Sequence, residues 1–179
     1  MRELEIESIR IRQETQQRAV VLRVKDSDLF LPIFVGHFEV EAIRIKLMDV
    51  EIQRPMTHDL LDDVIGNLGG SVKSIVVSEL KNDTFYAKIL VDYNNTIIEI
   101  DSRPSDAIAL AVRTNAPIYA EDDVVDKAGV NLDAEVEEAK AITNNPQEQA
   151  PVNEEELKSL SAFTDFIDTL DLEDLGKDE

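Results

Sequence analysis

The chain has 179 residues, no cysteine, and 38 acidic against 18 basic side chains, a formal charge of −20. The absence of thiols excludes disulfides, thiolate metal sites and cysteine nucleophiles, while 43% hydrophobic residues suffice to bury a core and exclude wholesale disorder. The charge argues against coating nucleic acid or an anionic membrane with a basic face, and the start Met1-Arg2-Glu3-Leu4 and the lack of any long apolar run lead to the expectation of a cytoplasmic protein with no membrane span.

In chain order, Leu4, Ile6, Ile9 and Ile11 alternate loosely, and Ala19–Val24 and Leu29–Val35 follow after polar breaks. These predict three strands in hairpin succession. From Gly36 the period changes, with Val40, Ile43, Leu47 and Met48 on one helical face. A second helix is expected from Thr57, read as its cap, to Gly66 or Gly69-Gly70. The pattern then restarts. Val72–Leu80, Thr84–Val91 and Thr96–Ile100 predict three more strands, and Pro104–Arg113 a helix. Pro117–Ala120 adds a short strand and Glu121–Ala128 a short helix. Ser8–Ile11 matches Ser74–Val77, and Glu41–Ile45 matches Asp106–Leu110, at offsets of 66 and 65. The fold class expected is α+β: duplicated βββα units forming a mixed or antiparallel sheet packed with helices.

Two stretches concentrate polar residues at helix starts: Arg54-Pro55-Met56-Thr57-His58-Asp59 and Asp101-Ser102-Arg103-Pro104-Ser105-Asp106. A helix N-terminus carries unpaired N–H groups and partial positive charge, which suits a phosphate. Arginine adds a bidentate fork for the same anion. Nearby carboxylates suit a divalent cation or a general base, and histidine changes charge near neutral pH. The combination suits phosphodiester hydrolysis. A purely structural account is equally concrete: Thr57 and Asp106 as caps, Asp59 favoured by the helix dipole, Pro104 in a first turn, and Arg103 paired with Asp101 or Asp106. Glu39 and Glu41, two apart on a helix, make a poor metal pair unaided. There is no phosphate-binding glycine loop, zinc spacing or Ser–His–Asp motif.

At these segments the chain resembles the bifunctional nuclease domain family, whose members are described as cleaving both DNA and RNA. The resemblance runs through Leu31-Pro32-Ile33-Phe34-Val35-Gly36 with Glu39 and Ala42-Ile43, and through Arg54–Leu61. It continues in Leu80–Ala87 and Ile100–Arg113 and closes on Ala116–Tyr119, spanning residues 4–130. It implies a compact α+β domain, commonly homodimeric, with a groove of Glu39, Arg54, His58, Asp59, Asp101, Arg103, Ser105 and Asp106. The roles assigned on that basis give the scissile phosphate to Arg54 and Arg103, with Ser105 also binding substrate. Asp101, Asp106 and Glu39 would take a divalent metal, Mg or Mn. His58, steadied by Asp59, would be general base or acid. The rival reading is a non-catalytic homodimeric interaction module whose groove binds a phosphate-bearing ligand or a protein.

The charge is uneven. Residues 1–120 hold 19 acids and 14 bases, a net of −5, whereas residues 121–179 hold 19 acids and 4 bases, a net of −15. The expected organisation is a domain over 1–130, a polar Pro/Asn/Gln linker over 131–152 and an acidic amphipathic helix over 153–179. In that tail Leu157, Leu160, Phe163, Ile167 and Leu170 share one face. It reads as a solvated helix, a docking helix for this protein or a partner, or an autoinhibitor of the groove. A nearly balanced domain can still build a local phosphate site.

Overall fold

Strands β1 (Arg2–Ile11), β2 (Arg18–Val24) and β3 (Leu29–Val35) lead into helices α1 (His37–Leu47) and α2 (Thr57–Asn67). A second meander follows, β4 (Gly70–Lys81), β5 (Thr84–Tyr93) and β6 (Thr96–Ser102), then α3 (Pro104–Thr114), β7 (Ile118–Ala120), α4 (Asp122–Ala128) and β8 (Val130–Asn131). The computed structural model describes residues 1–11 and 16–131. The expected tail helix, and all of the expected linker except Asn131, lie outside them.

One eight-stranded mixed sheet results, in the order β6-β5-β4-β7-β1-β2-β3-β8. Strand β7 runs parallel to β4 and antiparallel to β1. The two meanders therefore run in opposite directions on either side of it, related by an approximate half-turn. Both carry a register irregularity, at Ile6/Ser8 and Val72/Ser74, which matches the offset of 66 seen in the sequence. From β3 to β6 and from α1 to α3 the starts are 67 residues apart. Glu39, rather than Glu41, is thus the counterpart of Asp106: each is the third residue of its helix.

The core follows from strand register. Ile89, Ile75, Ile118, Leu4 and Val24 stand side by side across β5, β4, β7, β1 and β2, all buried. Helix α3 packs against β4, β5, α1 and α2. Its residues Ala107, Ile108, Ala109, Leu110 and Ala111 are all buried, as expected of a helix that is apolar on every side. On the other face of the sheet, Arg23 pairs with Glu5 and Glu7, and Lys25 with Glu3. Such exposed cross-strand pairs are screened by solvent and add little to stability.

Pro32 sits inside β3, where it cannot donate to a ladder. It is tolerated because, among the described residues, β8 pairs with β3 only at Leu29 and Phe30, so Pro32 lies on an edge with no described ladder partner on that side. Residues from that edge and from the β4–β5 turn line one cavity, so the sheet is strongly curled. No described helix is long and apolar enough to cross a membrane.

Candidate active site

Three helix N-termini meet beside this cavity. Gly36 precedes α1, Met56 precedes α2 and Arg103 precedes α3, each in extended backbone conformation. Thr57, expected as the cap of α2, is instead its first helical residue. The cap is supplied from inside the helix, where the Asp59 carboxylate accepts the Met56 N–H at 2.8 Å.

Arg103 organises the centre. Its Nη1 donates to Glu39 Oε1 at 2.9 Å, its Nε to Asp106 Oδ2 at 2.6 Å and its Nη2 to Asp106 Oδ1 at 3.1 Å. The guanidinium thus bridges the two equivalent carboxylates of the duplicated halves. It keeps 66% of its side chain exposed, against 29% for Asp106 and 21% for Glu39, so one side of the fork stays open to solvent. His58 is buried, and its Nε2 lies 3.2 Å from Asp106 Oδ1. The ring's Nδ1 makes no hydrogen bond to a described residue.

The chain of contacts Glu39–Arg103–Asp106–His58 joins both polar stretches of the sequence across 48 residues. The partner of His58 is Asp106, not Asp59. Asp59 turns the other way, where its Oδ1 accepts from Arg113 Nε at 2.7 Å. Arg113 is almost wholly enclosed and also donates to the Ala109 carbonyl at 2.7 Å. No motif in the sequence assigns Arg113 a role. The available signal was a lone cation at the end of the apolar run Ala107–Val112, which needs a buried partner. Ser105 is buried at the second position of α3.

Two candidates stand apart. Arg54 lies exposed in the segment between α1 and α2 and forms no ion pair with a described residue. Asp101 pairs in register with Lys88, one residue beyond the Ile100–Ile89 pair, of which Ile89 belongs to the core. Because side chains alternate along a strand, Asp101 projects from the opposite face of the sheet. The metal donors inferred from the sequence, Glu39, Asp101 and Asp106, are therefore not gathered into one set. Glu39 and Asp106 already receive a guanidinium, and no group of three or more potential ligands stands together among the described residues.

Burial works to raise the pKa of Asp106, but hydrogen bonds from Arg103 and His58, with their charges, outweigh it. The carboxyl is held below its ordinary value of 3.8. A group depressed in the folded state stabilises above its unfolded pKa and loses that contribution as pH falls through the folded value. The stability gap between the native chain and an Asp106→Asn variant is therefore expected to be widest above about pH 5 and to shrink below about pH 4. Urea unfolding of both across that range measures it, and a gap that stays constant contradicts the assignment.

Comparison with known proteins agrees with this architecture. Residues 20–133 match the family model described as the bifunctional nuclease domain. An uncharacterised protein of Mycobacterium tuberculosis is 35% identical over 167 residues, covering 93% of this chain and 95% of its own length. Bifunctional nuclease 1 of Arabidopsis thaliana is 26% identical over 164 residues, 84% of this chain but 50% of the plant protein. Bifunctional nuclease 1 of Oryza sativa subsp. japonica is 29% identical over 114 residues, 62% of this chain and 34% of the rice protein. Strand β1 precedes the matched segment yet completes the same sheet through β2 and β7. With the matched segment covering most of the chain and carrying every residue of the Arg103 centre, the chain belongs to the bifunctional nuclease domain family.

Proposed function

We propose that the chain is a nuclease that hydrolyses phosphodiester bonds of DNA and RNA with little sequence specificity. The observation that carries this reading is the Glu39–Arg103–Asp106–His58 relay at the meeting of three helix N-termini. Arg103 presents its solvent-facing side to the phosphate and neutralises charge that grows on its oxygens in the transition state. Ser105 and the first-turn N–H groups of α3 lie beside it as further donors. His58 takes a proton from the attacking water at Nδ1, and Asp106 orients the ring and stabilises the imidazolium, a division of labour like that in hydrolytic triads. The water oxygen bonds to phosphorus, the sugar oxygen leaves, and the proton passes from His58 to that oxygen. Glu39 and Asp106 are engaged by Arg103 and Asp101 faces away, so these three carboxylates do not form a ready metal site.

The test is purified full-length chain incubated with DNA and with RNA, beside Arg103→Ala. The expected result is cleavage of both and a loss of about 100-fold or more in the variant. No cleavage by the native chain, with or without Mg²⁺ or Mn²⁺, overturns the reading. The proposal includes a homodimer, supported by exposed Leu60 and Val64 on α2, Leu68 just after it, and Ile98 and Ile100 on the edge strand β6, exposed apolar side chains of the kind found at interfaces. Light scattering on the purified chain reads its stoichiometry.

A further inference from the structure

Position 36 is a glycine although its backbone, at φ −71° and ψ 165°, suits any residue. Space explains it. A Cβ there would collide with the Glu39 carboxylate, meeting Oε2 first and then Cδ and Oε1. The Glu39 side chain thus folds back over the start of its own helix, into the room the glycine leaves. Helices α1, α2 and α3 each carry an acid in the third position, Glu39, Asp59 and Asp106. In α2 that acid caps its own helix, since Asp59 accepts the Met56 N–H. Glu39 is used differently: among the described residues its hydrogen-bond partner is Arg103, 64 residues away in sequence.

Arg103 is long and largely exposed, so holding it still costs rotamer freedom. Asp106 takes Nε and Nη2, but it stands on the same helix start as Arg103. Nη1 is held from the other half of the duplicated fold, by Glu39. With these bonds made, one N–H remains on Nη1 and one on Nη2, the donors left for a phosphate. Electrostatics alone does not account for Glu39. Together Glu39 and Asp106 outnumber the single guanidinium, and Asp83 lines the same cavity, so Glu39 repels a phosphate in the ground state. Its contribution lies in orientation. We propose that Glu39 is a positioning residue that fixes the Arg103 guanidinium between the two halves of the fold, and that Gly36 is required because it gives the Glu39 carboxylate its place. The effect on cleavage rests on the nuclease reading; the hold on Arg103 does not.

The experiment compares Glu39→Ala, Glu39→Gln and Gly36→Ala with the native full-length chain. It reads melting temperature, the side-chain N–H signals of Arg103 in nitrogen-labelled protein with and without inorganic phosphate, and single-turnover cleavage over a range of substrate concentrations. In the native chain Nη1 and Nη2 are expected to give separate signals, because carboxylates on two sides stop the guanidinium from turning. In Glu39→Ala and Gly36→Ala the signals are expected to merge and the cleavage rate at saturation to fall about tenfold. Substrate affinity is expected to hold or tighten, since a repelling carboxylate is removed or displaced, and the melting temperature to move little. Glu39→Gln keeps an acceptor for Nη1 and is expected to restore separate signals and a rate within about threefold of native. A rate as low in Glu39→Gln as in Glu39→Ala assigns the role to the charge itself, as in a metal donor, and overturns the inference. Separate Arg103 signals in both Glu39→Ala and Gly36→Ala overturn it too, as do rates that merely follow the folded fraction. A native chain that cleaves neither DNA nor RNA overturns the nuclease reading, and the Arg103 signals then decide the hold by Glu39 on their own.

Discussion

Replacing Asp59 with alanine is expected to lower the unfolding free energy by about 3 kcal/mol, because it strands the Arg113 guanidinium in the interior. Arg113 keeps 3% of its side chain exposed and Asp59 27%, so the cation is enclosed while the anion touches water. Removing one partner of a buried pair typically costs about 3–5 kcal/mol, and the solvent contact of Asp59 places this case at the lower end. The Met56 N–H loses its acceptor in the same variant, a capping loss of about 1 kcal/mol already within that figure. Arg113→Met should cost less, since it removes the buried charge instead of orphaning it. The double variant should be distinctly more stable than the two single losses summed. Denaturant unfolding of the four proteins measures the cycle. A loss under about 1 kcal/mol for Asp59→Ala, or strict additivity, contradicts a buried pair that holds α2 to α3.

The pairing of Asp59 with Arg113 leaves no signature in the sequence. Strand and helix positions were legible because burial writes itself as a period: Ala19–Val24 and Pro104–Arg113 could each be placed to within a residue or two. The two polar stretches were legible as well, because caps and prolines mark helix starts. The pairing between them was not. Asp59 sits next to His58 in sequence, but adjacent helical residues point in different directions, and only packing of α2 on α3 decides that His58 meets Asp106 while Asp59 meets Arg113. Asp101 was similarly misleading, since its closeness to Arg103 says nothing about the strand alternation that turns it to the other face.

The duplication was visible in element order, but its exact phase was not. Matching Glu41 to Asp106 looked natural from the residues that follow each, Ala42-Ile43 and Ala107-Ile108. Helix starts 67 residues apart make Glu39 the counterpart instead. The difference matters because a carboxylate in the third helical position lies at the N-terminus, where Arg103 can bridge the two copies. Insertion of β7 between β1 and β4 was not legible either. A three-residue strand carries no periodic signal, and its neighbours are fixed by the crossover of α3 rather than by its own side chains.

His58→Ala is expected to reduce nucleic-acid cleavage by about 100- to 10,000-fold, the range supplied by a positioned proton carrier, while leaving the fold in place. His58 is buried, so truncating it leaves a small void and removes one hydrogen bond from Asp106. That carboxylate retains both contacts from Arg103, and the stability cost should stay near 1–2 kcal/mol. The two readings of the site separate on this contrast. If the site hydrolyses phosphodiesters, kcat falls steeply while nucleic-acid affinity changes little, because Arg103 and the α3 N-terminus still hold the phosphate. If the relay only braces α2 against α3, activity should follow the folded fraction and return once a compensating stabiliser restores it. Single-turnover cleavage, binding and denaturant unfolding on the same preparations decide between them. Cleavage within threefold of the native rate in fully folded His58→Ala protein removes His58 from the chemistry and leaves Asp106 and Arg103 to account for the site.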